Sequence, residues 1–94
     1  MELKDTVEGM NSKDYKERFK AEYWQLKIRY EKLVHFITKI EAYSMLDWDK
    51  AMFKDEPVHD CPINLLRNQE KAMSEYLHTL EIRAQIEEID LNIE

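Results

Sequence analysis

The residues best suited to chemistry lie early in the chain, where Arg18 and Arg29 fall on one flank of a predicted helix and Lys16, Lys20 and Lys27 on the other, with Tyr15, Tyr23 and Trp24 among them. A guanidinium fork matches the oxygens of a phosphate, and aromatic faces stack on bases, so this mixture suits a phosphate-bearing small molecule. Glu17, Glu22 and Glu31 stand three or four residues from these cations, and ordinary pairing along the helix surface accounts for the same pattern. Arg83 is placed differently, beside the apolar face of a second predicted helix near Leu80 and Ala84, where an unpaired charge is costly. It requires an acidic partner, for which Glu22 across the helices is the structural choice, or a bound anion.

Other chemistry is scarce. Glu75 and His78 have the E-x-x-H spacing of di-iron bundles, but both point away from the Leu80 face, as a solvated helix face does. His59, Asp60 and Cys61 are consecutive and lack ligand spacing, so no metal or other cofactor is expected. There is no Ser/His/Asp or Cys/His set, and one glycine in the chain excludes a glycine-rich phosphate loop. The reading is of a protein that is not an enzyme.

These residues depend on two long helices. From Phe19 the apolar positions run Phe19, Tyr23, Leu26, Tyr30, Leu33, Ile37 and Ile40, in steps of four and three that make one seam along a helix of about residues 13–42. Ser12 is the expected N-cap. A second helix over about 62–89 opens at Pro62, a residue suited to the first turn, and gathers Leu66, Met73, Tyr76, Leu77, Leu80 and Ala84 on the face that meets the first. Gln69 lies inside that face and reads as a register-fixing residue. Between the helices, residues 43–61 form a partly helical connection, with a short helix capped near Ser44 and Asp47, running to about Phe53 and closed by Pro57. Residues 1–11 carry no periodicity and are expected to be a flexible arm, with Leu3 and Val7 able to dock. The fold class is therefore all-α: one domain over 1–94, an antiparallel two-helix hairpin.

Two further apolar groups lack a place in a lone hairpin. Trp24, Ile28 and His35 project from the back of the first helix, and Ile82, Ile86, Ile89 and Ile93 move away from the Leu80 side near the end of the second. A chain of 94 residues with this much uncovered apolar surface is expected to assemble as a homo-oligomer.

Composition sets outer bounds. With 44% hydrophobic and 36% charged residues and only one Gly and two Pro, the chain is neither disordered nor rich in sheet turns. The net charge of -6 is uneven: residues 1–42 hold nine Lys/Arg against eight Asp/Glu, and residues 43–94 five against twelve. Duplex nucleic acid is a poor partner for so acidic a chain. A lone cysteine, an N-terminus without a signal pattern and the absence of a long apolar run point to a cytoplasmic protein that does not span a membrane.

Arg18, Glu22, Leu26, Arg29, Leu33, Phe36 and Ile37, followed by Leu65–Leu66, Gln69, Ala72–Met73, Tyr76, Leu80 and Arg83, resemble a family of small bacteriophage proteins first noted in crAss-like phages. The similarity covers about residues 15–86. That pattern is in turn similar to the helical-hairpin domain of phage anti-CBASS and anti-Thoeris sponges. The resemblance implies a compact oligomer in the cytoplasm of an infected bacterium that sequesters a cyclic nucleotide-type immune signal without cleaving it. Placed on this sequence, the ligand-binding candidates are Tyr15, Arg18, Trp24, Lys27, Arg29 and Arg83. The alternative is a helical interaction module that docks a protein through its exposed apolar stripes and takes no small ligand.

Overall fold

The first ten residues fold back on the chain instead of fraying. In the computed structural model, which describes residues 1–52 and 54–93, a 3-10 turn over Leu3–Thr6 leads into a short helix, α1 (Val7–Met10). The Asp5 carboxylate accepts the Glu2 amide at 2.7 Å, and the Thr6 hydroxyl, buried with its residue, donates to the Leu3 carbonyl at 2.7 Å. The expectation of a flexible arm missed these contacts because they depend on one tertiary approach. A Cβ built on Gly9 would lie 2.9 Å from the Cβ of Ala21 and 3.3 Å from the Glu17 carbonyl oxygen, so α1 reaches the next helix only because position 9 has no side chain. Helix propensity alone favours Gly9→Ala by about 1 kcal/mol. The clash reverses the sign: Gly9→Ala is expected to destabilise by about 1–3 kcal/mol, and hydrogen exchange should show residues 3–10 losing protection while the long helices keep theirs.

The first long helix, α2, spans Tyr15–Ser44. Asp14 is its N-cap, accepting the Lys16 amide at 3.0 Å, whereas Ser12, the expected cap, accepts the Asp14 amide two residues earlier at 3.1 Å. The connection holds a short helix, α3 (Trp48–Ala51), beginning after Asp47 as expected but without a side-chain capping bond. Phe53, to which that helix was expected to run, lies outside the described residues. The second long helix, α4, spans Ile63–Glu87, with Pro62 one position before it.

The end of α4 departs most from expectation. Glu88 adopts a left-handed conformation (φ 56°, ψ 48°), and the Ile89 amide closes on the Ala84 carbonyl at 2.9 Å, the 6→1 bond of a Schellman-type helix end. The chain turns back there, so Ile89 is not on the outer side with Ile86 but 8% exposed in the chain's own core. The tail continues across α2, where the Trp24 indole donates to the Leu91 carbonyl at 2.7 Å. Trp24 is thus half-buried by its own chain. Ile82 and Ile86 stay in solvent, the latter 76% exposed.

α2 and α4 lie side by side, the start of α2 against the end of α4 through Tyr15 and Glu87, and its far end against the start of α4 through the Glu41–Arg67 ion pair at 2.8 Å. The 3.6-residue period gathers Phe19, Tyr23, Leu77, Leu80, Ala84 and Ile89 into one buried cluster at the first of these ends. Towards the other end Ile37 is the one buried side chain among the described residues, and Leu33, Ile40, Leu66 and Met73 are half-exposed. Gln69 is exposed, on the flank of the helix instead of inside its face. The radius of gyration is 17.1 Å with extents of 54 × 23 × 22 Å, against about 12 Å for a compact domain of this length. Among the described residues, no helix is long and apolar enough to cross a membrane.

Candidate functional site

Where α2 begins and α4 ends, Met10, Tyr15, Arg18, Glu22, Gln25 and Arg83 line a groove of about 330 Å³ floored by Phe19. That volume falls at the lower end of small-molecule sites, roughly 300–1,000 Å³. Each wall has a local cause. The Asp14 cap fixes the first turn of α2 and hence Tyr15 and Arg18; the folded N-terminus supplies Met10; and the αL turn after Glu87 holds the last turn of α4 against Tyr15.

Arg83 is satisfied within the chain, though not by the residue expected. Its Nε donates to Glu87 at 3.0 Å, its Nη2 to the Tyr15 hydroxyl at 2.5 Å, and its guanidinium lies over the Phe19 ring at 5.0 Å. Tyr15 in turn donates to Glu87 at 3.0 Å, closing a three-residue cycle. Glu22, the expected partner of Arg83, instead accepts a hydrogen bond from the Tyr76 hydroxyl. The Arg83–Glu87 spacing of four residues lets both groups meet on one helix, with no need to reach across to α2.

The cations of α2 are not neutralised in the way their spacing allows. Among the described residues, the ion pairs within 4 Å are Lys4–Glu2, Arg67–Glu41 and Arg83–Glu87, none of which uses an α2 cation. Arg18 donates one Nη1 bond to the Ser12 carbonyl at 2.9 Å and leaves the rest of its fork at the groove. Arg29 is exposed on the same flank three turns further along. Lys27 is on the far side, its Nζ 5.7 Å from the Tyr23 ring and 5.4 Å from the Trp24 ring. The six candidates therefore fall into three places within one chain: Tyr15, Arg18 and Arg83 at the groove, Arg29 above it, and Trp24 with Lys27 behind.

Carboxylate neighbours set the protonation of the two tyrosines at and beside the groove. The Glu87 carboxylate pushes the Tyr15 phenol above the ordinary tyrosine value, with desolvation adding to the effect and Arg83 opposing it, so Tyr15 stays protonated and serves as a donor. Glu22 does the same to Tyr76. Because the folded chain holds these protons more tightly than the unfolded one, their stabilisation is complete below about pH 10 and is lost as pH rises through the raised folded values. An alkaline absorbance titration should show a late phenolate component that Tyr15→Phe/Tyr76→Phe removes; a variant curve that merely scales with the number of tyrosines would disprove these bonds in solution.

Gln25 and Met10 line the groove, and Glu87 bonds to its Tyr15 and Arg83, but none of the three was picked out from the sequence. The i to i+4 spacing to Arg83 announces Glu87, whereas Met10 has no local signal because its place depends on the Gly9–Ala21 approach. Among the described residues there is no cluster of three or more His, Cys, Asp or Glu placed to hold a metal ion. His78 and Glu75 are exposed, and His59 Nδ1 lies 2.6 Å from the Cys61 carbonyl within its own loop.

No curated protein and no solved structure matches the chain. One family model does, over residues 13–86, which take in all of α2, the connection and all but the last residue of α4. That model is Sequestin, and the chain, matched over most of its length by both groove-forming helices, belongs to the Sequestin family.

Proposed function

We propose that this protein is a phage sponge: a helical hairpin that self-associates in the cytoplasm of an infected bacterium and holds a phosphate-bearing, cyclic nucleotide-type immune signal without cleaving it, in the manner of anti-CBASS and anti-Thoeris proteins. The family name speaks of sequestering, and the observation that carries the reading here is Arg18, facing a groove with no carboxylate within ion-pair distance among the described residues. Arg18 and Arg29 take phosphate oxygens, Tyr15 donates to the ligand or stacks beneath a base, and Arg83 is released to the ligand when an incoming phosphate displaces Glu87. Lys27 and Trp24 sit behind the groove in the same chain, so they join a ligand only across a subunit boundary. No cofactor is needed, because retention without bond cleavage requires neither nucleophile nor metal.

The test is a thermal-shift panel of cyclic di- and trinucleotides and cyclic ADP-ribose isomers, followed by chromatography of the ligand released on denaturation. Binding to the folded state at 100 times Kd adds about 2.7 kcal/mol to its stability. One compound that raises the melting temperature and returns intact supports sequestration; a compound returned cleaved overturns it. A flat panel favours the second reading, a protein-interaction module, for which the exposure of Ile82 and Ile86 on α4 is the specific support.

A further inference from the structure

The two flanks of the α2–α4 pair differ in character. One carries Lys27, Glu31, Arg67, Glu70, Lys71 and Glu81, a solvated surface of mixed charge. On the other, the Tyr76–Glu22 bond marks the register, and helical spacing places Ala72 and Leu65 along α4 from Tyr76, and Arg29 and Phe36 along α2 from Glu22. Leu65 is 55% and Tyr76 46% exposed, and Ala72, a small residue midway along α4, is also in solvent. The connecting segment leans to this flank at its far end, where the His59 ring meets Phe36 edge-on at 6.2 Å. That segment exposes Met45, Trp48 and Val58 at 77–86%.

Charge says what covers these surfaces. Residues 45–61 hold five acidic residues against two lysines, while the groove at the opposite end is lined by Arg18 and Arg83 with Glu22, and Arg29 lies further along the same flank. A second copy laid antiparallel on the Ala72 flank brings each acidic connection over the basic groove of the other chain, whereas a parallel copy sets like charge on like. A face about 54 Å long and 23 Å wide has room for the roughly 800 Å² per partner of a standard interface. Such packing also covers the half-exposed Leu33 and Phe36 on the thinly buried half of the pair.

We infer that two copies of this chain pack antiparallel through the flank containing Ala72, Leu65 and Tyr76, so that the connecting segment of each, led by Trp48, closes the Tyr15–Arg18–Arg83 groove of the other. This rests on the self-association in the proposed function and adds to it the face, the orientation and a residue of the second copy at the site. Ala72 lies near the two-fold axis, where a residue meets its own symmetry mate.

Three measurements on the full chain test it. Light scattering should give an even multiple of 11.4 kDa, reduced to a single copy by Ala72→Arg and unaffected by Lys71→Glu on the opposite flank. In a Cys61→Ser background, Ala72→Cys should form a disulfide-linked dimer on mild oxidation, and Lys71→Cys should not. A benzophenone amino acid replacing Trp48 in isotopically heavy protein, mixed with light protein, should crosslink to residues 10–25 of the light chain. A single-copy wild type, or Lys71→Cys crosslinking in place of Ala72→Cys, overturns the interface, and a crosslink from position 48 to the partner's own connection overturns the orientation. The thermal-shift panel is read separately: ligand binding by a single-copy protein sinks this inference and leaves sequestration standing, while the stated dimer with a flat panel does the reverse.

Discussion

Leu80→Ala is expected to cost about 3 kcal/mol, from the range of roughly 2–5 for buried leucines truncated to alanine. Leu80 is 1% exposed and sits in a cluster of six buried residues, among those described, at one end of an elongated chain. Its neighbours cannot collapse into the gap without moving Phe19, whose ring also supports Arg83, or Ile89, whose position is set by the αL turn. For a domain of this size 1 kcal/mol corresponds to roughly 4–8 °C, so the melting temperature should fall by about 12–24 °C at fixed protein concentration. Since small domains have only about 5–15 kcal/mol in all, this one change removes a large share of the total. Ile86→Ala, at a position 76% exposed on the same helix, is the matched control and should stay within about 0.5 kcal/mol of wild type. Equal losses at both positions would mean that the buried end is not where stability resides.

The same contrast shows what could be read in the sequence. The seam of α2 was legible because Phe19, Tyr23 and Ile37 recur at the helical period, and all three are buried. The inner face of α4 was legible for the same reason through Leu77, Leu80 and Ala84. The periodicity through Ile82, Ile86, Ile89 and Ile93 misled at Ile89, because it assumes that a helix continues and Glu88 stops it in a conformation that non-glycine residues seldom take, while Ile82, Ile86 and Ile93 are exposed as expected. Trp24 and Ile89 looked as though they awaited another chain only while the tail had no known path. The N-terminus was illegible for a related reason: its order comes from one close backbone approach at Gly9, which leaves no periodic trace.

The groove was legible in part. Tyr15, Arg18 and Arg83 were chosen by residue type and do converge, but the wheel for α2 alone could not show that Lys27 and Trp24 turn away from them. Nor could spacing tell which carboxylate answers Arg83. Counting across helices favours Glu22, yet Glu87 meets it along one helix, and Glu22 is occupied by Tyr76. The relative energies explain the choice: a pair on one helix needs no second element held in register, and Tyr15 strengthens it by bonding to both members.

That local neutralisation makes Arg18 and Arg29, not Arg83, the residues with the largest expected effect on binding. A hydrogen bond to a charged group contributes about 1.5–3 kcal/mol, so Arg18→Ala/Arg29→Ala should weaken a phosphate-bearing ligand by roughly two to four decades, at about 1.4 kcal/mol per decade. Both side chains are exposed and neither forms an ion pair among the described residues, so the melting temperature without ligand should barely move. Arg18→Lys/Arg29→Lys keeps the charges but loses the fork, and should recover only part of the affinity; full recovery would mean that general positive potential, not bidentate contact, holds the anion. Glu87→Gln provides the opposite test, since weakening the carboxylate that competes for Arg83 should tighten binding. If the double alanine variant binds as wild type does, the phosphates lie elsewhere, and Lys27 with Trp24, approached from a second chain, becomes the site to examine by the same substitutions.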